Sequence, residues 1–293
     1  MRPDTHALVA VVALSVLAAP SASRGQEARP LPDQQTFLAE TVKRLRSNDL
    51  VRSQYVFRQT DTRVSRDSSG RAKKTDVKVY EVFPAPEPSL TYQRLILVNG
   101  VPPADLAEKD REQTAKVRKW LDERAREGVS ARAARERKRA EEDRREAAVV
   151  DEVLALYRIT MTGREWIAGR SAIRFTLDPR RDYKPKTDNG ALIRKFKGRA
   201  WVDEEDHELA RLEMEVFEPV SIGLGIIARL YVGSRATIER AKIDGGMWLP
   251  TRSHFVGSGR ILLVRRLDVD QLSEYDSYRQ LTAETATTFT IPK

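Results

Sequence analysis

The chain of 293 residues contains no cysteine. That absence excludes disulfides, thiolate metal sites, a cysteine nucleophile and the lipid-bearing cysteine of a lipoprotein. Histidine is scarce, at His6, His207 and His254 only, which leaves little for a histidine-rich metal site or histidine catalysis. The glycines at 223, 225, 245 and 246 fit neither a phosphate loop nor a dinucleotide fingerprint. Ser221 and Ser234 lack the surroundings of a nucleophile elbow. No catalytic residue, metal or cofactor is expected, and the composition points away from an enzyme. Hydrophobic residues make up only 40%, enough for a sizeable core if the charge is concentrated in one region.

Lysine and arginine number 52 against 43 aspartate and glutamate, a net +9. Near the start, residues 7–19 (ALVAVVALSVLAA) form an apolar run followed by Pro20, Ser21, Ala22 and Ser23. The run is shorter than the roughly 20 residues that a spanning helix needs. It reads as a signal peptide, residues 1–23, cleaved near Ser23/Arg24, which predicts a periplasmic protein without lipidation.

Residues 34–50 show helical spacing through Phe37, Leu38, Val42 and Leu45, with Asp33 as N-cap. The period then changes to two. Segments 52–62, 76–83 and 90–98 alternate, separated by turns, the last ending at Asn99-Gly100. This is antiparallel-meander grammar. The pattern resumes at Tyr157. Segments 158–164 and 170–178 pair across Ala168-Gly169, and 192–203 pairs with 208–218 across an acidic turn. Segments 229–243 and 247–257 pair across Asp244-Gly245-Gly246, and 260–279 supplies the rest. Along 208–218, Ala210, Leu212, Met214 and Val216 face one way, and Arg211, Glu213 and Glu215 the other.

Between the two strand regions lies the charge. Residues 104–150 carry 14 Lys/Arg and 12 Asp/Glu among 47 residues, with no proline and with Gly128 as the only glycine. Asp105 and Glu108 are spaced as a capping box. Opposite charges four apart, such as Lys119–Glu123 and Glu141–Arg145, support a solvated helix. The reading is a helix or helical pair, kinked at Gly128, that packs weakly or not at all. Nucleic acid is not an expected partner, since acids interrupt the basic run 135–139 at Glu141, Glu142 and Asp143. An anionic membrane surface is a weaker expectation for the same segment.

The acidic cluster Asp203-Glu204-Glu205-Asp206-His207 lacks EF-hand spacing and reads as a solvated turn. His254 reads as a strand histidine. Loop 179–190 is basic, contains proline and reads as a rim. Segment 217–227 is apolar where a connection should be polar, through Val220, Ile222, Leu224, Ile226 and Ile227. It reads either as a short buried helix or bulge, or as a lid over a cavity formed by Ile222, Leu224, Ile226 and Ile227.

The run Lys197-Gly-Arg-Ala-Trp-Val-Asp203, the acidic turn and Leu209-Ala-Arg-Leu-Glu213 resemble the hairpin "G-x-x-W-[IV]-D…L-x-R-[LV]" of the periplasmic lipoprotein-carrier superfamily (LolA/LolB-like). The resemblance implies an unclosed antiparallel barrel around a hydrophobic cavity lidded by helices. The expected fold class is therefore α+β and mainly antiparallel β, a strongly curved half-barrel of roughly ten or eleven strands. An N-terminal helix precedes it, and its two parts, 24–103 and 157–293, flank the charged insertion 104–156. The resemblance further implies a non-catalytic carrier that binds lipid or lipoprotein acyl chains. Candidate cavity residues are the alternating sets Tyr55/Phe57, Leu95/Leu97, Ile173/Phe175/Leu177, Leu212/Met214/Val216 and Leu230/Val232. Which sheet face points inward is open at this level. The alternative is an envelope-stress sensor or scaffold that binds an envelope protein partner through 104–150.

Overall fold

A computed structural model describes residues 29–52, 55–66, 71–85, 90–222, 228–243, 246–261 and 265–280. The expected signal segment, 1–23, lies outside the described residues. Helix α1 (Gln34–Arg52) starts where its cap was predicted. The Asp33 carboxylate accepts the Thr36 backbone N–H at 2.9 Å and the Thr36 hydroxyl at 2.7 Å.

Strands β1 (Tyr55–Arg66), β2 (Ala72–Phe83) and β3 (Tyr92–Val98) form the first meander. Helices α2 (Leu106–Ala125) and α3 (Val129–Leu156) follow, then β4 (Tyr157–Ile167), β5 (Arg170–Pro179) and the short α4 (Asp188–Ile193). The chain continues through β6 (Phe196–Asp203), β7 (Leu209–Val216), β8 (Val220–Ile222), β9 (Ala228–Leu230), β10 (Arg235–Lys242), β11 (Trp248–Ile261) and β12 (Arg265–Gln280).

All strand pairings are antiparallel, in one sheet ordered β3-β2-β1-β12-β11-β10-β7-β6-β5-β4. Strands β8 and β9 pair with each other off that path, β9 also against β11. The N-terminal meander forms one end of the order and joins the rest through the β1–β12 ladder. Among the described residues the outermost strands, β3 and β4, have no partner strand on their far sides, so the sheet does not close. They are consecutive strands in the chain, and the α2–α3 segment is the connection from one open edge to the other.

Among the described residues the sheet has twelve strands where roughly ten or eleven were expected. Segment 229–243 is broken between β9 and β10, where Gly233 takes φ 86°. The further strand β8 lies within the expected connection 217–227, set off from β7 by Pro219, which has no N–H for a ladder. The beginning of segment 192–203 belongs to α4, whose N-cap Thr187 accepts the Gly190 N–H at 2.9 Å.

The charged insertion is held more firmly than its composition suggests. On α2, Asp110 binds Tyr92 and Arg94 of β3, and Gln113 donates to the Leu90 carbonyl at 2.8 Å. At the other end, Leu156 is fully buried, and buried Glu152 accepts from the Lys186 and Thr187 backbone and from the Thr187 hydroxyl. The helix break does fall at Gly128, where Glu127 accepts from Arg124 at 2.7 Å and from Arg135 at 3.0 Å. The capping box does not form. The Asp105 carboxylate pairs instead with Lys109 at 2.7 Å.

Candidate binding face

Directly opposed residues of an antiparallel ladder share a face, so the registers sort the side chains. One face carries Phe37 of α1 packed on Ile173, Phe175, Ala200 and Val202, with the Phe37 and Phe175 rings stacked at 5.9 Å. Leu38, Ile159, Met161, Leu177, Leu209 and Leu212 surround that cluster. At the start of α1, the Gln34 side-chain amide donates to the Ile159 carbonyl at 3.0 Å and accepts the Met161 N–H at 2.8 Å. It thereby takes the place of a strand partner on the open edge of β4.

From the cluster under Phe37, two rows cross five strands on this face. The first is Phe175–Ala200–Leu212–Ile238–Ser253, and the second is Leu177–Gly198–Met214–Ala236–Phe255. Every member of the second row is half-buried, and Ile238 in the first is 38% exposed. With strands about 4.8 Å apart, the second row runs roughly 19 Å. Gly198 and Ala236 keep its floor low, and the Met214 sulfur lies where a Gly198 side chain would stand.

The structure gathers Ile173, Phe175, Leu177, Leu212 and Met214 on this one face, with Val216 fully buried on the same side of β7. Tyr55 and Phe57 belong to a separate aromatic group. Phe57 lies 6.0 Å from Tyr275 and 5.3 Å from Tyr278, and Tyr55 lies 6.4 Å from Tyr278. Leu95 opposes Tyr80 and Leu97 opposes Val79, so the intervening irregularity puts the two leucines on opposite faces. Leu230 sits in β9 opposite Val220 and Gly259, and Val232 is 56% exposed on the following turn. Ile222 ends β8 opposite Ala228, whereas Leu224, Ile226 and Ile227 lie outside the described residues. Ala236, Ile238 and Phe255 were missed from the sequence, although the alternation along β10 carried the signal.

The opposite face is polar. Lys197, Glu215 and Arg235 oppose one another in one row, and Arg199, Glu213 and Thr237 in the next. Together with Thr176 and Asp178 they line an open groove of about 590 Å³. Trp201, only 4% exposed, is covered there by the Arg199 and Arg211 guanidinium groups at 5.5 and 5.3 Å, and its indole N–H donates to Glu165 at 2.7 Å.

The acidic cluster is not the solvated turn expected of it. Asp203 is 1% exposed, binds Arg170 through both oxygens at 2.6 and 2.9 Å, and accepts the Glu205 and Asp206 backbone N–H groups. Glu204 binds Arg164 and Ser171, and Asp206 binds Trp248 and Lys242. Burial pushes the Asp206 carboxyl up, but Trp248 and Lys242 outweigh it and hold it below the usual range. These carboxylates staple three hairpin ends together, and among the described residues no group of three histidine or acidic side chains is placed to hold a metal.

An antiparallel sheet of this order, open between β3 and β4 with a helix packed on one face, decides the architecture. It is an unclosed half-barrel. No family model and no curated protein matches the chain. Among solved structures it is similar to an outer membrane lipoprotein-sorting protein domain from Vibrio parahaemolyticus, at 7% identity over 83% of this chain and 92% of that one, with TM-score 0.34. It is also similar to a DUF1329 family protein from Desulfovibrio piger, at 10% identity over 87% and 97%, with TM-score 0.29. A third is MucB in complex with MucA(peri), at 10% identity over 86% and 100%, with TM-score 0.23. With all three TM-scores this low, the half-barrel rests on the strand order and the two open edges.

Proposed function

We propose that the half-barrel is an exported, non-catalytic binding protein that carries an acyl chain on its α1 face. The observation that supports this reading is the half-buried row Leu177–Gly198–Met214–Ala236–Phe255. It extends the core in an apolar row in which Met214 covers Gly198 and Ala236 leaves depth for a chain. Burying an acyl chain yields about 0.8 kcal/mol per CH₂, so such a row requires no catalytic group. The 590 Å³ groove has paired charges in its lining beside Gly198, Met214 and Ala236, and those charges suit an acyl chain poorly. Native mass spectrometry of protein purified from the periplasm tests the reading, with bound lipid expected. Protein that is consistently ligand-free and takes up no fluorescent fatty acid would sink it.

The scaffold reading draws on a different observation. Along α3, residues 130–142 are exposed on every side except at Arg135, on a helix clamped at both ends. That arrangement suits a protein partner. Deleting 130–145 should abolish partner capture in a scaffold and leave lipid occupancy unchanged in a carrier.

A further inference from the structure

We infer that the ligand of the α1 face is an amphiphile with an anionic head, held by Arg63 and Lys78; this rests on the acyl-chain reading above. The two ladder rows, one apolar from β5 to β10 and the other from β5 to β11, do not stop there. The Phe255 row continues on the same face through Gln271 of β12, Arg63 of β1 and Asp76 of β2. The row containing Ile238 continues from Ser253 through Ser273, Asp61 and Lys78. These two rows therefore change from hydrocarbon to hydrogen-bonding and charged groups from β11 onward, along the line a long molecule would follow.

The two carboxylates in the polar stretch already have donors. Asp61 accepts the Ser273 hydroxyl at 2.6 Å and the Gln59 amide at 2.9 Å. Asp76 pairs with Lys74 at 2.6 Å. Arg63 and Lys78 are both exposed, and neither is held in an ion pair among the described residues. Arg63 opposes Asp76 and Lys78 opposes Asp61, so the two cations are diagonal neighbours across β1 and β2. Diagonal neighbours stand about 7–8 Å apart, a span that two long side chains close easily around one anion. A chain laid along the apolar rows, with its head at β1–β2, places a carboxylate or a phosphate between them.

The test uses the full mature chain and three fluorescent probes sharing one acyl chain: a free fatty acid, its methyl ester and a phosphate monoester. Wild-type protein should bind one or both anionic probes roughly three- to tenfold more tightly than the ester, a preference that salt erases. The exposed double variant Arg63→Gln/Lys78→Gln should lose that preference while keeping its affinity for the ester. Comparing acid with phosphate monoester tells a carboxylate head from a phosphate head. Equal wild-type affinity for all three probes overturns the head assignment and leaves the acyl reading standing, whereas no binding of any probe overturns both. A preference that survives in the double variant also overturns the assignment. If the double variant fails to fold, the salt dependence in wild type decides.

Discussion

Arg94 on the open-edge strand β3 grips Asp110 on α2 through both carboxylate oxygens, with N–O distances of 2.9 Å to each oxygen. The Tyr92 hydroxyl donates to the same carboxylate at 2.8 Å. A helix rich in charged residues is thus bolted to the sheet by a partly buried, charge-assisted contact.

Removing that bolt should be measurable. Asp110→Asn replaces the anion with a neutral amide and leaves Arg94 without its principal partner, a loss of about 1–3 kcal/mol on urea unfolding. Burial pushes the Asp110 carboxyl up, but the Arg94 and Tyr92 hydrogen bonds outweigh it and leave it below its ordinary value of 3.8. A depressed carboxylate stabilises the fold above its unfolded pKa and loses that contribution as pH falls through the folded one. Wild type should therefore lose stability below pH 3.8 more steeply than Asp110→Asn. Parallel acid titrations of the two proteins would remove the assignment.

Gly198 predicts a second cost. A Cβ there would stand 2.4 Å from the Met214 sulfur and 2.5 Å from the Glu213 carbonyl oxygen. The sulfur can swing away, but the backbone carbonyl of the paired strand cannot. Gly198→Ala should lose about 1–3 kcal/mol, the scale of overpacking. Adding Met214→Ala should not restore it. Full rescue by the second substitution would place the conflict at the sulfur alone.

Much of the fold was legible because strands advertise themselves by period two. The Asp33 cap, the break at Gly128, the turn at Ala168-Gly169 and the opposed faces of β7 all follow from local chemistry. What escaped was non-local. Nothing in the spacing of Leu95 and Leu97 announces the irregularity that separates them, because it arises in the pairing with β2. The acidic turn looked solvated because its partners Arg164, Arg170, Lys242 and Trp248 come from two other hairpins. Likewise, the row that joins Leu177 to Phe255 exists only once four registers are known.

The β4–β5 turn offers a gain. Ala168 takes φ 49° and Gly169 φ 79°, a two-residue turn with both centres in the left-handed region. An alanine there carries about 1–2 kcal/mol of strain. Ala168→Asn supplies the residue that such turns favour and should recover about 0.5–1 kcal/mol. The urea midpoint should rise with an unchanged slope. A lower midpoint would mean that the alanine methyl makes contacts worth more than the strain.

Ala236 tests the apolar row itself. It lies between Met214 and Phe255 on the α1 face, half-buried, with the smallest side chain of the row apart from Gly198. Ala236→Phe should fill the space an acyl chain would occupy and weaken fatty-acid binding at least about tenfold, or ~1.4 kcal/mol. Thr237→Leu, the next residue along β10 and pointing to the charged face, adds a comparable apolar side chain and should leave binding unchanged. Both variants should melt close to wild type if the row is open. A loss of several kcal/mol confined to Ala236→Phe would instead show a closed, fully packed site, since overpacking is costly only where no space exists. Two well-folded variants with equal and unaltered binding would move the ligand away from this face, and both the acyl row and the Arg63–Lys78 head site would fall with it.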